Sequence, residues 1–126
     1  MQDVRLIIAG SRGFNDYNLL KNQMGYLLRS ENNDTIEIVS GGANGADKLG
    51  ERFAKEKGFP IKYFLPDWGA YGKQAGYLRN KQMAEYATHC ICFWDGQSKG
   101  TKLMIDLAER FNLKGTVVNY LNMNLV

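Results

Sequence analysis

Residues 35–47 read TIEIVSGGANGAD: a β-branched run, three glycines at positions 41, 42 and 45, and then the start of a helical pattern. TIEIV suits a buried strand. Beyond the glycines, Ala46, Leu49, Gly50, Phe53 and Ala54 share one narrow helical face, which Gly58 and Pro60 close. A plain strand-to-helix connection needs no such run of small residues. A loop whose backbone must be approached closely does.

The same unit recurs along the chain. VRLIIA (residues 4–9) reads as the first strand. Asp16 can cap a helix that carries Tyr17, Leu20, Met24, Leu27 and Leu28 at helical spacing. ENND breaks that helix ahead of TIEIV. IKYFL (residues 61–65) follows as a third strand, and a third helix is expected over about residues 75–88. CICFW (residues 90–94) is the fourth strand. A fourth helix holds Leu103, Met104, Leu107, Ala108 and Phe111 inward, and TVVNY is the fifth strand. Strands alternating with helices form parallel sheets through right-handed crossovers. The expected fold is α/β: one Rossmann-like, doubly wound domain over residues 1–126. Its five-stranded parallel sheet has order 3-2-1-4-5, with helices on both faces.

Composition sets the outer bounds. At 126 residues, 44% hydrophobic and 12% aromatic, the chain is long enough for one domain with a real core. No apolar run reaches membrane-spanning length, and the opening MQDVRLII lacks a signal-peptide pattern. Cys90 and Cys92 alternate within one strand, so they face the same way and are poorly placed to bond to each other. The expectation is a cytoplasmic protein with buried thiols and no metal or cofactor. A net charge of +3 admits an anionic ligand without demanding nucleic acid.

Ligands of doubly wound sheets bind beyond the carboxyl ends of the strands. The unusual residues collect there. GSRGF follows the first strand, SGGANGAD the second, PDWGAYGKQAG the third and DGQSKGT the fourth. The opposite edge carries ordinary turn residues, ENND and EKGFP. In the first loop, Gly10 and Gly13 allow close approach, Ser11 can donate and Arg12 can pair with a phosphate. In the second, Ser40, Gly41, Gly42, Ala43 and Gly45 form the floor. Asp47 falls in the first helical turn, either as a dipole partner or as a group acting on a sugar. Arg79 and Asn80 sit on the inward stripe of the third helix with Gly76, Met83, Ala84 and Ala87; they either tie neighbouring loops or reach a ligand. Asp95, Ser98, Lys99, Gly100 and Thr101 make a fourth candidate cradle, in which Ser98 or Thr101 can also cap the helix. Trp68, Tyr71, Tyr77 and Trp94 can stack on a base, with core packing the default for Trp94. The loop PDWGAYGKQ reads as a lid or a subunit contact.

Taken together, AGSRGFND, SGGANGADKLGERFAKEKG, PDWGAYGKQAGYLRNKQM and FWDGQSKGTKLMI resemble the small, YspA-like members of the SLOG superfamily, which also includes the LOG and Smf/DprA proteins. The likeness runs over nearly the whole chain. It implies a Rossmann-like fold that binds nucleotides or nucleotide-derived ligands at the glycine loops, with ADP-ribose- or NAD-related signals among the ligand classes. It also implies occurrence in phages and bacterial conflict systems. A phage-encoded member would act in the host cytoplasm, sequestering a defence signal. The LOG enzymes carry PGGxGTxxE. Here Ser40 replaces the proline, two residues (Ala43 and Asn44) stand where one is expected, and Leu49 falls at the glutamate's place. An enzymatic alternative, a phosphoribohydrolase or other hydrolase, would use Asp47 and Asp95, with Glu51 behind them. A nucleic-acid module is the reading least favoured, because there is no basic run and no second domain. The expected partners are a nucleotide-derived small molecule and further copies of the chain in a homo-oligomer.

Overall fold

The computed structural model describes residues 3–121, with the side chain of Asn33 excepted. Met1 and Gln2, the start of the opening run, lie outside the described residues. Five strands form one sheet: β1 (Val4–Gly10), β2 (Ile36–Ser40), β3 (Ile61–Tyr63), β4 (His89–Trp94) and β5 (Lys114–Asn119). All are parallel, in the order β3-β2-β1-β4-β5. The helices are α1 (Tyr17–Leu27), α2 (Ala46–Lys57), α3 (Trp68–Tyr71), α4 (Ala75–Tyr86) and α5 (Lys99–Arg110).

The sheet is covered on both sides, and the alternation along β1 shows how. Val4, Leu6 and Ile8 join Leu20 and Met24 of α1 and Ala46, Phe53 and Ala54 of α2 in one core. Ile7 and Ala9 join Met83 and Ala84 of α4 and Met104, Leu107 and Ala108 of α5 in the other. Each fully buried aliphatic side chain contributes about 1.5–3 kcal/mol. At α1, the expected cap forms: Asp16 Oδ1 accepts the Leu19 N–H at 3.0 Å. Cys90 and Cys92 are free and buried on one face, their sulfurs 3.7 Å apart.

The region after β3 departs from expectation. The strand stops at Tyr63, although the Phe64 N–H still donates to Ser40 O at 2.9 Å. The loop then folds into α3, where Asp67 Oδ1 accepts the Ala70 N–H at 3.0 Å, and a short 3-10 turn, Gly72–Gln74, leads into α4. The local cap outweighs the low helix propensity of Gly69, and the segment expected as a loop takes up a helical turn. Helix α4 ends at Tyr86, and Thr88 instead pairs with β1 through its N–H to Arg5 O at 2.9 Å.

Candidate functional site

The loops after β1, β2 and β4 and the inward stripe of α4 enclose a cavity of about 420 Å³ at the carboxyl edge of the sheet. That volume lies in the range of small-molecule sites. Among the residues expected from sequence, Gly10, Ser11, Arg12, Ala43, Asp47, Arg79, Asn80, Asp95, Ser98, Gly100 and Thr101 line it. Ser40, Gly41, Gly42, Gly45 and Lys99 stand outside the lining. Gly13, expected from sequence to allow close approach, and Met83, expected on the stripe of Arg79 and Asn80, also line it, and Ala9 and Met104 add walls that sequence reasoning did not assign to the site. Met104 sits at a core-like helical position, and nothing in its spacing marks it as a pocket wall.

The β1 and β4 loops are tied to each other. Ser11 is buried, and its N–H donates to Phe93 O at 2.9 Å. Its hydroxyl oxygen accepts the Asp95 N–H at 3.1 Å and lies 3.0 Å from Ser98 Oγ. Asp95 Oδ1 accepts the N–H groups of Gln97 and Ser98 at 2.8 and 2.7 Å, and Oδ2 lies 2.9 Å from Ser98 Oγ. Those backbone bonds hold the Asp95 carboxyl below its ordinary range. Both carboxylate oxygens therefore shape the loop. Ser98 occupies the N-cap position of α5, but its side chain makes no capping bond to the helix. The first intrahelical bond is Lys102 N–H to Ser98 O at 3.1 Å. This leaves the N–H groups of Lys99, Gly100 and Thr101 without a cap from Ser98, at the positive end of the helix. Arg12 is exposed at the cavity rim and makes no hydrogen bond or ion pair among the described residues.

The β2 side is organised around Asp47 and Arg79. Asp47 is buried, which raises its carboxyl from 3.8 to about 6; the Ala43 N–H at 3.2 Å and the nearby Arg79 guanidinium partly offset that rise. Arg79 Nη1 donates to Gly41 O, and Nε donates to Asn80 Oδ1 at 2.8 Å. Burial lowers the Arg79 pKa, but arginine remains a cation throughout the working pH range. The polar pair on the inward face of α4 thus ties to a loop carbonyl and lines the cavity at once.

Two of the glycines serve this assembly. A Cβ on Gly41 would stand 2.6 Å from Arg79 Nη1 and 3.0 Å from Asp47 Oδ2. Gly45 has φ +81°, and a Cβ there would meet the carbonyl oxygens of Ser11 and Arg12. They clear space for Arg79, Asp47 and the β1 loop, which in turn face the cavity. Glu51 is turned away from the cavity: its Oε2 accepts the Ser40 hydroxyl at 2.7 Å, and Lys48 Nζ lies 3.6 Å from Oε1. Among the described residues no three His, Cys, Asp or Glu side chains gather to hold a metal ion. No helix among them is long and apolar enough to cross a membrane.

Comparison with known proteins gives the family of this fold. Residues 4–71 match the YspA, cpYpsA-related SLOG family, a span that takes in the β1 and β2 loops. The chain is 32% identical over 122 residues to the Gene 61 protein of Mycobacterium phage D29, covering 92% of this chain and 95% of that protein. No solved structure matches it. Fold, loop order and match together show that the chain belongs to the YspA, cpYpsA-related SLOG family, whose members suggest binding of a nucleotide-related ligand.

Proposed function

We propose that the cavity binds a nucleotide-derived anion, of the ADP-ribose or NAD-related class, and holds it without cleaving it. The observation that carries this reading is the anion-ready wall on the β1/β4 side. The first turn of α5 lacks a cap from its own N-cap serine, and an unpaired Arg12 stands at the same rim. A phosphate would accept from the backbone N–H groups of that turn and pair with Arg12. Asn80 and Asp47 would face the sugar. Sequestration of a host nucleotide signal is the use we propose for such binding. Assembly into a homo-oligomer belongs to the same proposal and is read by light scattering.

Isothermal titration with ADP-ribose tests the reading. Arg12→Ala removes one charge-assisted contact and should weaken binding about 10- to 150-fold without loss of fold. Unchanged affinity would refute the phosphate position.

A second reading, hydrolysis of an N-glycosidic bond, is favoured by one observation: the carboxyl of Asp47 lies in the cavity wall with its pKa raised to about 6. Such a group can deliver or take a proton near neutrality. Asp47→Asn separates the two. Turnover lost with binding retained supports the hydrolase, and ligand intact with both proteins supports the binder.

A further inference from the structure

We infer that Trp68 and Leu65 form the base-recognition platform of this same cavity, so that its ligand carries an aromatic base as well as a phosphate. The inference rests on the proposed anion site and extends it. No aromatic residue lines the cavity among the described residues, and its walls are polar, glycine, alanine or methionine. Trp94, close to the cavity, is already committed: its Nε1 donates to Ser98 O at 3.1 Å. A base bound here must find its stacking partner at the rim.

The segment after β3 supplies exposed apolar side chains beside positions that adjoin the lining. Trp68 is 56% exposed and Leu65 66% exposed. Trp68 opens α3, which is held by the Asp67 cap and by the Tyr71 N–H donating to Asp67 O at 3.0 Å. An ordered helix therefore presents this indole to solvent. Its ring edge, Cη2, lies 3.7 Å from where a Cβ on Gly76 would stand. Gly76 is one helical turn before Arg79 and Asn80 on the same stripe, and both of those line the cavity. Leu65 Cδ2 lies 2.7 Å from the Cβ position of Gly42, the neighbour of the cavity-lining Ala43. Both apolar side chains thus sit one residue or one turn beyond the cavity wall. The absent side chain of Gly42 leaves Leu65 room to lie there, while Trp68 packs at ordinary contact distance over Gly76. The phosphate is thus assigned to Arg12, the sugar to Asp47 and Asn80, and the base to Trp68.

Titration calorimetry with AMP and ribose 5-phosphate, which differ only by the base, tests the platform in wild type, Trp68→Ala and Trp68→Phe. Wild type should bind AMP more tightly than ribose 5-phosphate. Trp68→Ala should weaken AMP roughly 5- to 150-fold, the range for loss of one base–aromatic stack, and leave ribose 5-phosphate within about twofold. Trp68→Phe should keep most of the AMP affinity. Equal AMP affinity in wild type and Trp68→Ala overturns the platform while the anion site stands. So does an equal loss for both probes. A fall in solution mass on Trp68→Ala with AMP binding unchanged also overturns it, making the segment a subunit contact. Failure of wild type to bind either probe removes the anion site, and the platform with it.

Discussion

Asp47 makes the protein's stability depend on pH in a direction opposite to that of most carboxylates. Its carboxyl is raised from 3.8 to about 6, with burial the largest cause. A raised carboxyl pKa means that the folded state holds the proton more tightly than the unfolded chain. Stability from this group is fully present below about 4 and is lost as pH climbs through 6. The full difference is about 3 kcal/mol, and the share lost between pH 5 and pH 7.5 is about 1–2 kcal/mol. His89 titrates in the same window and acts the other way: burial lowers its pKa, so protonation on acidification destabilises the fold. Asp47→Asn isolates the aspartate, because His89 contributes equally to both proteins. Urea unfolding at the two pH values should show wild type losing about 1–2 kcal/mol more than Asp47→Asn on going from pH 5 to 7.5. Parallel pH dependence in the two proteins would refute the account of Asp47 as a buried, reluctantly ionised acid.

Other features of the fold give sharp expectations. A Cβ on Gly50 would stand 2.8 Å from Ile8 Cβ, so Gly50→Ala should cost about 1–2 kcal/mol in urea unfolding, overpacking outweighing the gain in helix propensity; a higher midpoint would contradict that packing. Ser11→Ala leaves the Asp95 N–H without its acceptor and should cost about 1–3 kcal/mol, together with weaker ADP-ribose binding as the start of α5 loses its tie to β1. Cys90 and Cys92 are buried, and the Cys92 thiol is pushed well up by its bond to Cys90 and by burial. A thiol reagent should therefore find both unreactive in the native protein and titrate both after denaturation.

The strand order was readable because β-branched runs and helical stripes alternate strictly from Val4 to Asn119, and parallel crossovers leave few ways to arrange them. Arg79 and Asn80 were readable as well, since polar residues on an inward stripe must find partners. What the partners would be was not. Gly41 and Gly45 looked like ligand-facing glycines, yet they receive Arg79, Asp47 and the carbonyls of the β1 loop, neighbours that only the closed sheet creates. Glu51, two positions beyond the expected acid, turned out to be bound to Ser40 and outside the lining. Helix α3 was hidden because its cap, Asp67, acts over only four residues, one of them Gly69, with Gly72 directly after them. Four residues are too short a span for hydrophobic periodicity to register.

The central claim is that the cavity holds a nucleotide-derived anion intact. The most direct test is mass spectrometry of ligand released by heat from protein incubated with AMP, NAD and ADP-ribose, in wild type and Arg12→Ala. The account predicts one unmodified nucleotide per cavity from wild type and a marked loss from Arg12→Ala. Recovery of only free base or ribose phosphate, with the parent consumed, would contradict it and make the protein a hydrolase acting through Asp47. Recovery of nothing from either protein would remove the anion site itself.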